Sequence, residues 1–153
     1  MLIPPPDLLL AFLRRRAAAP SGVMVRAEVL KQVGGFVEAF RGMYEDQAFC
    51  AKLCLTAPVL TTATSVYRYR QHAGSSSAAA DHSGVYDAGR RSFLDWLEHY
   101  LREQGVRDGP VVAALQRELW WVKHPRLHHL FRLTRRIRKR LIHRAQRLGG
   151  QAR

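Results

Sequence analysis

The chain has 153 residues, 47% of them hydrophobic, which is enough for one core or for part of a larger one. Its net charge of +13 is unevenly placed: residues 1–122 carry 14 Lys/Arg against 12 Asp/Glu, while residues 123–153 carry 11 Lys/Arg and no acid. No apolar run reaches the roughly 18 to 20 residues that cross a bilayer. The opening MLIPPPDLLLAFLRRR lacks both a basic segment ahead of its apolar stretch and a cleavage site, so neither a signal peptide nor a transmembrane helix is expected.

In chain order, Pro4-Pro5-Pro6 breaks the chain, and Leu8, Leu9, Phe12 and Leu13 then recur at helical spacing, predicting a helix over 7–18 closed by Pro20. Ser21 to Val25 reads as a short apolar strand, and Arg26 to Val33 as a helix stopped by Gly34-Gly35. A loop follows from Phe36 to Tyr44, carrying Phe40 and Met43 to pack on the body. The next helix begins at Glu45-Asp46, shows one apolar stripe of Phe49, Cys50, Leu53 and Cys54, and ends before Pro58. Residues 59–72, VLTTATSVYRYRQH, are rich in β-branched and aromatic residues and predict a strand or hairpin. The small, polar AGSSSAAADHSG at 73–84 reads as a flexible loop. Two helices are expected beyond it, over 85–104 up to Gly105 and over 111–122, and the last third as a whole is read as helical.

The pair Glu45-Asp46 admits two readings. Acids in a first helical turn are favoured by the helix dipole and the exposed amides, by roughly 0.3 to 1 kcal/mol each. The same amides favour an ionised carboxylate, and an ionised carboxylate can accept a proton from a substrate hydroxyl. Spacing alone does not choose between a cap and a base.

In the YRYRQH element, period two puts Arg68, Arg70 and His72 on one strand face, with Tyr67, Tyr69 and Gln71 on the other. Such a face is either a solvated edge or a diphosphate contact, since guanidinium groups offer bidentate donors to phosphate oxygens. Cys50 and Cys54, four apart, share a helix face and read as core, as befits a reducing compartment. Trp96, Trp120 and Trp121 read as core or acceptor-side packing, and His124, His128 and His129 as solvated residues of the tail.

The ordered set of SGVMVRAEVLKQVGGF, the Glu-Asp pair at a helix start and YRQH before a Ser-rich loop, over about residues 20–77, resembles the second half of family 2 glycosyltransferases, inverting enzymes of GT-A fold. The resemblance implies an α/β, Rossmann-like fold, of which residues 1–80 would be the acceptor-side half, followed by a helical extension at 81–122 and a basic amphipathic tail at 123–153. It further implies that Asp46 is the general base, with Glu45 beside it at the acceptor site. By the same resemblance Arg70 and Arg68 contact the diphosphate of a nucleotide-sugar donor, and His72 ligates a divalent metal, Mn or Mg. The family's Asp-x-Asp metal motif and the donor-nucleotide half are absent from the sequence, so the expectation is a truncated enzyme, inactive alone, whose partners are a nucleotide sugar and a hydroxyl acceptor.

A competing reading is a small basic module without catalysis that binds a membrane surface or nucleic acid. At about 100° per residue, Leu127, Leu130, Phe131, Thr134, Ile137, Leu141, Ile142, Ala145 and Leu148 fall on one face of residues 124–148, with Arg138 intruding. That stripe favours an anionic membrane over nucleic acid as the tail's partner. It also fits a cytoplasmic protein at the inner face of the membrane. The bland possibility is that the stripe simply packs on the body.

Overall fold

A computed structural model describes residues 1–14, 22–41, 43–62, 64, 85–127, 130, 131 and 134, with the backbone alone at 85–87. The elements are β1 (Leu2–Ile3), α1 (Asp7–Leu13), α2 (Ala27–Val33), α3 (Glu45–Thr56), β2 (Val59–Leu60), α4 (Val85–Glu103) and α5 (Pro110–Lys123). The chain divides into two compact units, Met1–Leu119 and Trp120–Arg153. The expected division near residue 80 lies outside the described residues.

The α/β, GT-A-like expectation is overturned. Among the described residues helices dominate, and the sheet is one antiparallel pair with Leu2 opposite Leu60 and Ile3 opposite Val59. On one side the limit is local: in this register Pro4 lies opposite Pro58, neither has an N–H to donate, and the ladder cannot run past Ile3 and Val59. Thr61 closes the pair, its N–H donating to the Met1 carbonyl at 2.9 Å while the Met1 amine donates back at 2.7 Å. The strand expected at 21–25 does not form over 22–25 either, and Met24 there is fully exposed. Strand propensity without a neighbouring strand to pair with leaves extended chain. Most of the longer strand or hairpin expected at 59–72 lies outside the described residues.

The helices follow their sequence signals more closely. Leu9 and Leu13 bury one side of α1, and the helix ends at Leu13 with Arg14 as its cap, short of the end expected at residue 18. α2 stops where Gly34 takes φ 68°, a left-handed position that costs glycine little, and its amide and that of Gly35 cap the Lys31 and Leu30 carbonyls. α3 is the central helix and packs against α1, α2 and α4. Its burial exceeds the expected stripe: every residue from Ala48 to Cys54 is buried, Lys52 included. Phe49 and Leu53 pack with Val33 of α2, joined by Val25 and Val29.

α4 buries Phe93, Leu94, Leu97 and Leu101, and α5 buries Val111, Ala114, Leu115 and Leu119, each set at helical spacing. The turn between them begins at Gly105, φ 74°, whose amide and that of Val106 close the end of α4 on the Arg102 and Leu101 carbonyls. Arg90 of α4 donates to the buried Glu118 carboxylate of α5, tying the two helices by an ion pair with little solvent around it. No helix among the described residues is long and apolar enough to cross a membrane.

Candidate functional site

The site begins with Tyr44. It precedes α3 with φ 67°, ψ 5°, a left-handed conformation that a bulky L-residue adopts at a cost of about 1–2 kcal/mol. Packing holds it there. The side chain is buried and its ring stacks on Phe93 at 5.4 Å, while Gly89 one helical turn earlier lets α4 approach so closely that a Cβ would sit 3.1 Å from the Tyr44 ring. Upstream in the same loop, Phe40 makes edge contacts with Phe93 at 6.4 Å and Trp96 at 5.6 Å, and Trp96 stacks on Tyr100 at 5.2 Å. The loop before α3 is therefore clamped by an aromatic ladder along α4.

This clamp sets the direction in which the Glu45-Asp46 pair leaves the core. Asp46 is exposed, and its Oδ1 accepts the Gln47 amide at 2.7 Å. Its other oxygen has no hydrogen-bond partner among the described residues. Glu45 is half-buried, and its Oε2 is enclosed without a hydrogen-bond partner among the described residues. The two neighbours thus differ: one carboxylate faces water from the helix start, the other turns partly inward. A buried acceptor lacking a donor costs about 1–3 kcal/mol.

The remaining chemistry-bearing groups of α3 are structural. Burial, and then the Asp46 charge, push the Cys50 thiol up to about 11, and burial, then Cys50, push Cys54 up to about 12. Both are protonated, inert core thiols, as their spacing suggested. Lys52 donates from Nζ to the Gly35 carbonyl at 2.8 Å, fastening α3 to the turn that ends α2, and burial lowers its pKa from the ordinary lysine value. Sequence reasoning passed over Lys52, Tyr44 and Gly89. A lone glycine inside a helical pattern is a signal of close packing, but nothing in a tyrosine's type announces a left-handed backbone.

Arg68, Arg70 and His72 lie outside the described residues. No group of three or more His, Cys, Asp or Glu side chains among the described residues could hold a metal ion, so Glu45 and Asp46 do not by themselves fit a cation site. A cavity of about 350 Å³ lies between α4 and α5, lined by Glu98, Arg102, Arg107 and Gln116 among others, and neither Glu45 nor Asp46 contributes to it. Comparison of the chain with protein-family models, with characterised proteins and with solved structures found no match.

Proposed function

We propose that this chain is part of an inverting sugar transferase that uses a nucleotide-activated donor, with Asp46 as general base. The observation that carries the reading is the strained, clamped Tyr44, which presents an open carboxylate at a helix start. Strain of that kind is retained where surrounding packing over-determines it, commonly at functional sites. The motif order around the pair supports the same reading.

In the proposed reaction the acceptor hydroxyl gives its proton to the open oxygen of Asp46 as its own oxygen bonds to the anomeric carbon of the sugar. The bond from that carbon to the diphosphate oxygen breaks, and the electron pair leaves with the nucleotide. The Gln47 amide, occupying Oδ1, orients the carboxylate. Glu45 shapes the acceptor side. Donor diphosphate binding is assigned to Arg70 and Arg68. His72 is assigned as one ligand of a divalent metal whose carboxylate ligands the Asp-x-Asp-free sequence does not supply. The activity would be exercised at the cytoplasmic side of a membrane, and it requires a donor half supplied from outside these residues.

Two measurements test the proposal. Calorimetry of this chain with uridine or guanosine diphosphate sugars and manganese should show no tight, metal-dependent binding, because one imidazole is a small part of an octahedral set. In the complete transferase, Asp46→Asn should leave donor affinity intact and lower transfer by about 10² or more. Unchanged turnover in that variant would remove Asp46 from the reaction.

A further inference from the structure

We propose that the unit beginning at Trp120 is an interfacial anchor for an anionic bilayer surface, in which an exposed aromatic and aliphatic patch enters the headgroup region and basic residues of the same unit hold acidic lipid headgroups. The inference does not depend on the transferase reading.

Trp120, Leu127, Leu130 and Phe131 are 44%, 48%, 57% and 49% exposed. Pro125 explains their arrangement. It has no N–H and disfavours a helical residue before it, so α5 ends at Lys123 and a new helical stretch starts at 125, putting Leu127, Leu130, Phe131 and Thr134 on one face. The corner between the two stretches is filled by rings. Trp120 meets Trp121 edge-on at 4.7 Å, His124 stacks on Trp120 at 4.4 Å, and Phe131 stacks on Trp121 at 5.1 Å. The His124 Nδ1 lies 2.8 Å from the Trp120 carbonyl, fixing the imidazole at the corner.

Charge decides the partner. Residues 120–153 carry 11 Lys/Arg and no Asp or Glu, and Lys123 and Arg126 are exposed beside the patch. An anionic surface is complementary to this unit. A nucleic-acid duplex would satisfy the cations but would leave exposed leucines in a water-filled groove, where they gain little. A lipid interface satisfies both, since it buries aliphatic side chains a few ångströms deep, accepts tryptophan at headgroup level and attracts Lys and Arg from the water side.

The full chain should cosediment with phosphatidylcholine vesicles containing about 30% phosphatidylglycerol, and at least tenfold less with vesicles lacking it. Replacing three exposed residues, as Trp120→Ser, Leu127→Ser and Leu130→Ser together, should lower partition at least tenfold while leaving the far-ultraviolet circular dichroism unchanged. Independently of any variant, lipids brominated near the headgroup should quench the tryptophan emission of the wild-type chain. Absence of partition, partition indifferent to phosphatidylglycerol, retention of full binding by the triple variant, or no quenching would each overturn the proposal. So would transfer of the chain from vesicles to duplex DNA offered at equal phosphate concentration, which would make the unit a nucleic-acid binder.

Discussion

Tyr44 and Gly89 form a pair in which each explains the other's residue type. Gly89 sits inside α4, where alanine would ordinarily be favoured by about 1 kcal/mol. A Cβ there would meet the Tyr44 ring at 3.1 Å to both Cδ2 and Cε2, and that ring has nowhere to retreat because it is buried against Phe93 and set by a left-handed backbone. Overpacking should therefore exceed the helical gain, and Gly89→Ala is expected to destabilise the chain by about 1–2 kcal/mol. Urea denaturation measures this, and a stabilised variant would show that Tyr44 is not clamped. The consequence reaches the site, since displacing Tyr44 re-aims Glu45 and Asp46.

Among the elements, α2 and α3 are coupled through their ends rather than only through their faces. The left-handed Gly34 lets the chain reverse after α2 and brings the Gly35 carbonyl to Lys52 of α3. Gly34→Ala meets open space at its Cβ, with only the Lys52 ammonium 4.0 Å away, so its cost is conformational. It should destabilise the chain by about 1 kcal/mol. A loss seen as a lower urea midpoint with an unchanged slope fits this cause, whereas an unaffected midpoint would mean that the turn is not held in that conformation. The motif GGF, which contributed to the sugar-transferase resemblance, thus has a complete structural account as a helix stop with a tether to the central helix.

For the molecule as a whole, burial of titratable groups on α3 shapes the response to alkali. Cys50 and Cys54 are raised from the ordinary 9.0 to about 11 and about 12. The folded state then holds protons that the unfolded state releases, so their stabilisation is fully present below pH 9 and is lost as pH rises through those values. Tyr100, raised by burial and then by Glu103, acts in the same direction above its ordinary 10.0. Lys52 acts oppositely: its lowered pKa makes the unfolded state the better proton binder just below 10.5, so its contribution rises with pH there. With two thiols and a phenol against one amine, the urea midpoint should fall between about pH 8 and about pH 10.5, and the Cys50→Ala/Cys54→Ala variant should fall less steeply. Equal falls in both proteins would show that the thiols are not the cause.

Helix positions in this protein were settled by sequence alone wherever a local rule was sufficient. The Gly34-Gly35 stop, the acidic start of α3, the limit before Pro58 and the Gly105 turn each depend on residues a few positions apart, and each was found where those rules place it, whereas the first helix starts as its leucine spacing predicts but ends at Leu13 rather than at 18. The acid pair and the inert thiols were legible for the same reason. Strands were not, because a strand exists only if another segment lies beside it, and VLTTATSVYRYRQH carries no information that its described start pairs only with Leu2 and Ile3. Tertiary structure likewise decided that α3 is buried on all sides from Ala48 to Cys54, that Lys52 closes the α2 turn, that Arg90 meets Glu118, and that Asp46 faces water while Glu45 turns partly inward. Those outcomes depend on which helices surround a residue, a long-range property set by the sum of packing over the whole core.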